Sequence, residues 1–335
     1  MHLSIKPWAW LLLALCTSAQ AIEPTLEARS RALDRARAAV IGLQAQAVED
    51  ARSASTLGSE RQGSGVLIGS DGLVLTIGYL VLEADEVELI VGDDRHVPAR
   101  VVGYDVATGF GLVQALLPLR LAPAPLGRSS GLSRDEPLVM MAAGEDGTVD
   151  TVRLLAQRPF AGFWEYQIDS ALFTSPPHED HSGAGLFNLN GELVGVGSLI
   201  VNDALGPDAG RVPANMFVPI DLLKPILREL RDSGRSRASM RAWMGVNCVE
   251  ADGELRIVRV SDDSPADVAG LQPGDRIVRI DGTEVRHLEQ LWKRLWAGEG
   301  TERAVQLDIE RDGQAKSLTV QTVDRQKTLR RAQGI

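Results

Sequence analysis

The stretch GVLIGSDGLVLTIGYLVL, residues 65–82, places two apolar runs of strand length on either side of Asp71-Gly72. Glycine adopts positive φ at low steric cost, so this dipeptide between such runs predicts a β-hairpin. The theme recurs downstream. Val87 to Val91 and Val97 to Val102 flank Asp93-Asp94, and GLFNLNGELVGVGSL, residues 185–199, turns at Asn190-Gly191. Leu119 to Pro125 between them is a Pro-rich connection without regular period. With 33 glycines and 16 prolines in 335 residues, the chain reads as mainly β, built from short strands. Its 44% hydrophobic and 24% charged composition suits two ordinary globular domains.

Residues 24–50 are rich in Ala, Arg, Glu and Leu and predict an N-terminal helix, although AAVIGLQ (38–44) reads equally well as a first strand. Pro219 to Arg231 has helical spacing, with Asp221 placed as an N-terminal cap. The polar run DSGRSRAS, residues 232–239, is the best linker. A second domain follows from Arg241 to about Val323, its helix spanning His287 to Ala297. The resulting division is 1–21, 22–231, 232–239, 240–325 and a basic tail 326–335.

The first 21 residues carry Lys6, an apolar run from Trp8 to Cys16, and Ala19-Gln20-Ala21. They fit a signal peptide cleaved after Ala21, which predicts export and a periplasmic location. Lipid anchoring through Cys16 is disfavoured by the bulky Leu15 before it. Cleavage leaves Cys248 as the one cysteine, excluding an intramolecular disulfide. No later run approaches 18 apolar residues, so no transmembrane segment is expected. A net charge of −10 argues against nucleic acid as partner. The basic residues from Arg325 to Arg331 read as a solvated, frayed end.

The segment GSGVLIGSDGLVLT closely resembles the HtrA/DegP family of chymotrypsin-fold serine proteases. So do DEVELIVGDDRHVPARVVGYDVATGFGLVQ and HSGAGLFNLNGELVGVGS, in the same order; together the resemblance covers about Val40 to Leu230. It implies a trypsin-like double β-barrel. Members read T-N-x-H-V-V where this chain has Thr76-Ile77-Gly78-Tyr79-Leu80-Val81, so Tyr79 stands at the catalytic histidine. They read S-D-x-x-T-D-L-A-L where it has residues 104–112, which puts Gly109 at the aspartate. Their G-N-S-G-G-P-L corresponds to Asp180-His181-Ser182-Gly183-Ala184-Gly185-Leu186, so Ser182 keeps the nucleophile position. Asp180 replaces a glycine of the oxyanion site, and residues 174–180 lengthen the loop.

A serine hydroxyl is a weak nucleophile without an adjacent base, and that base needs a partner to fix its tautomer. Neither Tyr79 nor Gly109 supplies these functions. Tyr79, protonated near neutrality, is expected to donate to Ser182 and hold it inert. Asp105 is a conceivable carboxylate near the site, with a surface turn residue as the preferred reading. His178 and His181 flank the site; they leave open a rescued active endopeptidase or a metal site, although the spacing lacks further ligands and a solvated polar loop is preferred.

The second domain resembles a PDZ domain in the HtrA arrangement. Its marks are Trp243-Met244-Gly245-Val246, then SDDSPADVAGLQPGDRIVRIDGTEV, a helix, and VQLDIERDGQAKSLTV. The resemblance implies that the loop at Trp243 to Gly245 offers backbone N–H groups to a peptide carboxylate. The strand beginning at Val246 would accept an extended peptide by β-augmentation. Leu288, Leu291 and Leu295 fall on one helix face and would wall the groove, core packing being the alternative. Trp292 and Trp296 read as cover for the sheet, exposed partner contacts being the alternative.

Together these residues predict a non-hydrolytic HtrA-like protein without cofactor that binds polypeptide segments or protein C-termini, an adaptor or chaperone-like factor in envelope quality control. The family resemblance adds a possible trimer, which no residue here establishes.

Overall fold

The structure is a computed structural model and describes residues 25–330 apart from 93, 145–146 and 207–208. The expected signal peptide and the last tail residues lie outside this set. Helix α1 (Leu26–Ala38) starts where the Thr25 hydroxyl accepts from the Ala28 N–H at 3.2 Å. Strand β1 (Val40–Ala47) follows at once with alternating burial. The two readings of residues 24–50 therefore both apply, the period changing at Ala39.

Six strands close the first barrel. After β1 and the single turn α2 (Ala54–Leu57) come β2 (Glu60–Leu67), β3 (Leu73–Ile77), β4 (Ala84–Val91), β5 (Arg95–Tyr104) and β6 (Phe110–Ala115), in spatial order β1-β2-β3-β6-β5-β4. Asp71-Gly72 joins β2 to β3, with Val66 opposite Leu75. The second barrel comprises β7 (Pro137–Met141), β8 (Val149–Ala161), β9 (Gln167–Ser175), β10 (Gly185–Phe187), β11 (Leu193–Val201) and β12 (Ala214–Pro219), in order β10-β11-β12-β9-β8-β7. One apolar cluster fills the first barrel and continues through Phe173, Phe187 and Met216 of the second. A further cluster around Leu138, Met140, Leu186 and Phe217 lies within the second barrel. The shared core fixes the barrels against one another, which matters because the Ser182 site draws on both.

Pro219 to Arg231 is not one helix. Pro225 cannot continue an existing helix ladder; Ile220–Leu222 form a 3₁₀ turn and α3 begins only at Leu227–Ser233. Asp221 caps a different segment, its Oδ2 accepting from the Ser129 and Ser130 N–H groups at 3.0 and 2.7 Å. Beyond it, β13 (Ala242–Trp243), β14 (Val246–Ala251), β15 (Glu254–Val260), α4 (Pro265–Val268), β16 (Arg276–Ile280), β17 (Thr283–Glu284), α5 (Leu288–Trp296), β18 (Ala304–Arg311), β19 (Gln314–Gln321) and β20 (Val323–Asp324) build a sheet in order β14-β15-β16-β18-β19 plus the small pair β13-β20. Ser264 caps α4 by accepting from the Asp267 N–H. Leu291, Trp292 and Leu295 of α5 are fully buried, with Leu288 nearly so.

The basic tail departs from expectation as far as it is described. Arg325 Nη1 donates to the Glu165 carbonyl at 3.0 Å, Gln326 Nε2 to the Tyr104 carbonyl at 2.8 Å, and the Arg330 N–H to Glu83 Oε1 at 2.8 Å. Residues 325–330 thus strap the C-terminal sheet to both barrels instead of fraying into solvent. These hydrogen bonds offset part of the chain freedom lost along the path.

Arg61 is a second polar tie. It donates to the carbonyls of Gly58 at 3.1 Å and Tyr79 at 2.9 Å, to that of Leu82, and to Ser53 Oγ at 2.8 Å. Replacing it with Met keeps the length but leaves these acceptors unpaired, so Arg61→Met is expected to lower stability by about 2–3 kcal/mol. A urea unfolding curve with unchanged slope and midpoint would contradict that assignment.

Candidate functional site

The Ser182 site forms where the barrels meet. Tyr79 lies on the 3₁₀ turn Gly78–Leu80 that follows β3, and Ser182 ends the turn Glu179–His181 that leads to β10. The Ser182 carbonyl accepts the Ser64 N–H at 2.8 Å, and Ser64 Oγ accepts the Ala143 N–H at 2.9 Å. Tyr79 Oη is 2.9 Å from Ser182 Oγ and 2.8 Å from the Ser198 carbonyl oxygen. The phenol has one proton and meets two oxygens. A carbonyl can only accept, so both contacts are satisfied when Tyr79 donates to Ser198 and the Ser182 hydroxyl donates to Tyr79. The expected direction of the Tyr79–Ser182 bond is therefore reversed. Burial pushes the Tyr79 phenol up to about 12, so this acceptor has little capacity to remove a proton near neutrality.

Gly109 stands in the turn before β6 with φ +79°, its N–H donating to the Asp105 carbonyl at 2.7 Å. No carboxylate stands at that position. Asp105 is fully buried rather than a surface residue, and its Oδ2 accepts the Thr108 N–H and hydroxyl at 2.9 and 2.6 Å. It stabilises its own turn. Asp180 is exposed and its Oδ2 accepts from Thr148 Oγ1 at 2.9 Å.

The two flanking histidines diverge. His178 Nδ1 lies 3.4 Å from Asp150 Oδ2, while His181 Nδ1 lies 3.3 Å from the His178 carbonyl oxygen. Burial lowers the pKa of His181, which leaves a neutral imidazole, but the ring makes no hydrogen bond with Ser182. Among the described residues no group of three or more His, Cys, Asp or Glu side chains is arranged to hold a metal ion.

The second candidate site is the groove between β14 and α5, and it is occupied from within the chain. Residues 162–166 form the connection between β8 and β9, and they lie along β14. Trp164 bridges Asn247 in antiparallel fashion, and the Cys248 N–H donates to the Phe163 carbonyl at 2.6 Å. Glu165, 4% exposed, brings its carboxylate to the loop after β13. There Oε1 accepts the Gly245 and Val246 N–H groups at 2.7 and 3.1 Å, and Oε2 accepts that of Met244 at 3.0 Å. Trp292 Nε1 on α5 donates to the Gly162 carbonyl at 3.0 Å. Burial pushes the Glu165 carboxyl up, against the opposing pull of those N–H groups and of Arg325.

Thus Met244, Gly245 and Val246 converge on a carboxylate, one supplied by the first domain. Trp243 flanks the loop in β13. Leu288, Leu291 and Leu295 pack in the core of the C-terminal sheet, and Trp292 couples that core to the occupying segment. Glu165, Tyr166, Arg325 and Ser198 escaped the sequence reading. A visible signal was the aromatic run FWEY at 163–166, richer in exposed apolar surface than a simple hairpin tip requires; Phe163 is 52% exposed.

A family model described as “Trypsin-like peptidase domain” matches residues 63–196, and one described as “PDZ domain” matches residues 242–322. A protein of Hahella chejuensis named “Probable periplasmic serine endoprotease DegP-like” is 31% identical over 250 residues, covering 68% of this chain and 50% of the relative. One of the same name from Pseudomonas fluorescens is 27% identical over 279 residues, covering 76% of this chain and 55% of the relative. The chain spans about half the length of these relatives. A solved structure described as “HtrA-type protease AlgW with decapeptide” superposes with a TM-score of 0.54 at 20% identity, covering 89% of this chain and 98% of that one. No helix among the described residues is long and apolar enough to cross a membrane. With two closed barrels and the added sheet, the chain carries a trypsin-like peptidase domain followed by a PDZ domain, and it is a homologue of the HtrA/DegP serine endoproteases.

Proposed function

We propose that this is an exported, periplasmic HtrA-type protein whose peptidase domain does not hydrolyse peptide bonds, and whose work is to bind polypeptide through its PDZ domain as an adaptor or chaperone-like factor. The supporting observation is the 2.9 Å contact between Tyr79 Oη and Ser182 Oγ, in the place where proton abstraction would need a base. Attack by Ser182 requires its proton to leave as the new bond forms. A phenol with its pKa raised to about 12 is fully protonated at neutral pH and is a poor receiver of that proton. Gly109 supplies no carboxylate to orient a base even if one entered.

The relatives are named serine endoproteases, and the opposing reading is that Ser182 attacks with an unassigned base. Reaction with a fluorophosphonate probe separates the two, because phosphonylation of serine depends on the same activation. The wild-type chain is expected to label no faster than Ser182→Ala between pH 6 and 9. Labelling that maps to Ser182 at a rate above that blank would favour the endopeptidase.

A further inference from the structure

The occupied groove has a consequence for how any partner enters. A ring of backbone N–H groups favours an anion, and an adjacent open strand favours an extended backbone. Polypeptide ending in a free carboxylate satisfies both requirements in one ligand. The segment 163–165 satisfies them with a side-chain carboxylate in place of a main-chain one: Glu165 fills the N–H nest while Phe163 and Trp164 pair with β14. Nothing about this connection requires such placement for closing β8 onto β9, which already pair from Arg153 opposite Ser175 to Ala161 opposite Gln167.

We propose that residues 163–165 are an internal ligand of the PDZ domain, and that a partner's free C-terminus binds by displacing Glu165 from the N–H groups of Met244, Gly245 and Val246. The proposal rests on the reading of this groove as a polypeptide site. The internal segment is tethered, so its effective concentration at the groove is of the millimolar kind expected for short connections. A terminus must therefore compete with it, and its apparent affinity falls by the fraction of molecules whose groove is open. The contacts that set this fraction are named on both sides. Trp292 Nε1 holds the Gly162 carbonyl, and Arg325 Nη1 holds that of Glu165. Phe163 remains 52% exposed, a point at which an incoming chain can reach the segment before it leaves.

The test uses the full chain and fluorescence polarisation. The probe is a pool of fluorescein-labelled decapeptides, random except for a final Val, Leu, Ile or Phe, prepared once with a free carboxylate and once as the amide. Glu165→Ala is expected to bind the acid pool at least ten times more tightly than the wild type and to bind the amide pool poorly. Glu165→Gln, which keeps the side-chain volume, is expected to fall between them and serves if Glu165→Ala does not fold. Hydrogen exchange supplies a second readout: the Met244, Gly245, Val246 and Cys248 amides should exchange faster in Glu165→Ala and become protected again on adding the acid pool. Equal affinities in wild type and variant would overturn the proposal, as would absence of acid-pool binding by both folded variants, since the segment would then be a fixed joint between domains. Neither result touches Ser182, whose inertness the fluorophosphonate reaction tests separately.

Discussion

Restoring histidine at 79 and aspartate at 109 together is expected to leave casein turnover at the level of Ser182→Ala. In serine hydrolases the nucleophile, base and orienting carboxylate act as a unit, and losing members costs on the order of 10⁴ to 10⁶ in rate. Re-installing the residue types recovers this only if the geometry returns with them. Gly109 has φ +79°, and a Cβ built there comes within 3.3 Å of Tyr166 Oη. A side chain in left-handed backbone costs roughly 1–2 kcal/mol. Tyr166 cannot simply swing aside, because its hydroxyl donates to the Thr108 carbonyl at 2.7 Å and its ring stacks on Trp164 at 5.4 Å between centroids. An aspartate at 109 therefore meets a strained turn and a fixed neighbour, while an imidazole at 79 loses the phenol that now links Ser182 to Ser198. The unreplaced Asp180 also leaves a carboxylate on the loop that would have to stabilise an oxyanion. Casein assays from pH 6 to 9 on the wild type, Ser182→Ala, Tyr79→His and the double variant decide the matter. Turnover by the wild type that vanishes with Ser182→Ala would remove the proposed function; turnover regained by the double variant would show that the turn at Gly109 accommodates the triad.

Gly183→Ala is expected to lower the stability of the peptidase domain by about 3 kcal/mol or more. Gly183 has φ +74°, where alanine is disfavoured by roughly 1–2 kcal/mol. The space is closed as well, since an added Cβ falls 1.9 Å from the Ser64 carbonyl oxygen. That oxygen is held by Thr76 Oγ1 at 2.6 Å, and the Ser64 N–H in turn holds the Ser182 carbonyl at 2.8 Å. Relief requires the Ser182 loop to move off the first barrel, and each hydrogen bond lost there is worth about 1 kcal/mol. For a domain of this size the midpoint of thermal unfolding should drop by about 6 °C or more. A midpoint within a degree of the wild type would mean that the loop is loosely seated and that the contacts between barrels carry little energy. Ser182→Ala, which keeps the backbone, serves as the control and should change the midpoint little.

Most of the barrel strands were legible in short stretches because the information is local. Alternating or continuous apolar runs, broken by residues that tolerate positive φ, determine a strand and its turn within about ten positions. Residues 38–44 were ambiguous for the same reason: a short apolar run carries no strong period, and only pairing of β1 with β2 and β4 selects the strand. Pro225 was a local signal passed over when residues 219–231 were read as one helix. Asp221 could not have been placed from sequence, since its partners at Ser129 and Ser130 lie some ninety positions away.

The residue types at the Ser182 site were legible in the sequence through its resemblance to the HtrA/DegP motifs, which aligns Tyr79, Gly109 and Ser182 with the three triad positions. The resemblance to PDZ domains likewise implied a loop at Trp243 to Val246 leading into a strand, and strands stand at Ala242–Trp243 and Val246–Ala251. Only the tertiary structure decided what those groups meet. The Tyr79 proton goes to the Ser198 carbonyl, more than a hundred residues distant, and the N–H groups of Met244, Gly245 and Val246 receive the Glu165 carboxylate, about eighty residues upstream. Hydrogen bonds between such distant groups form only after two barrels and a sheet have packed, and a carboxylate in FWEY has no local preference for one N–H nest over water. The occupant of the groove was therefore a property of the packed domains, written in no motif.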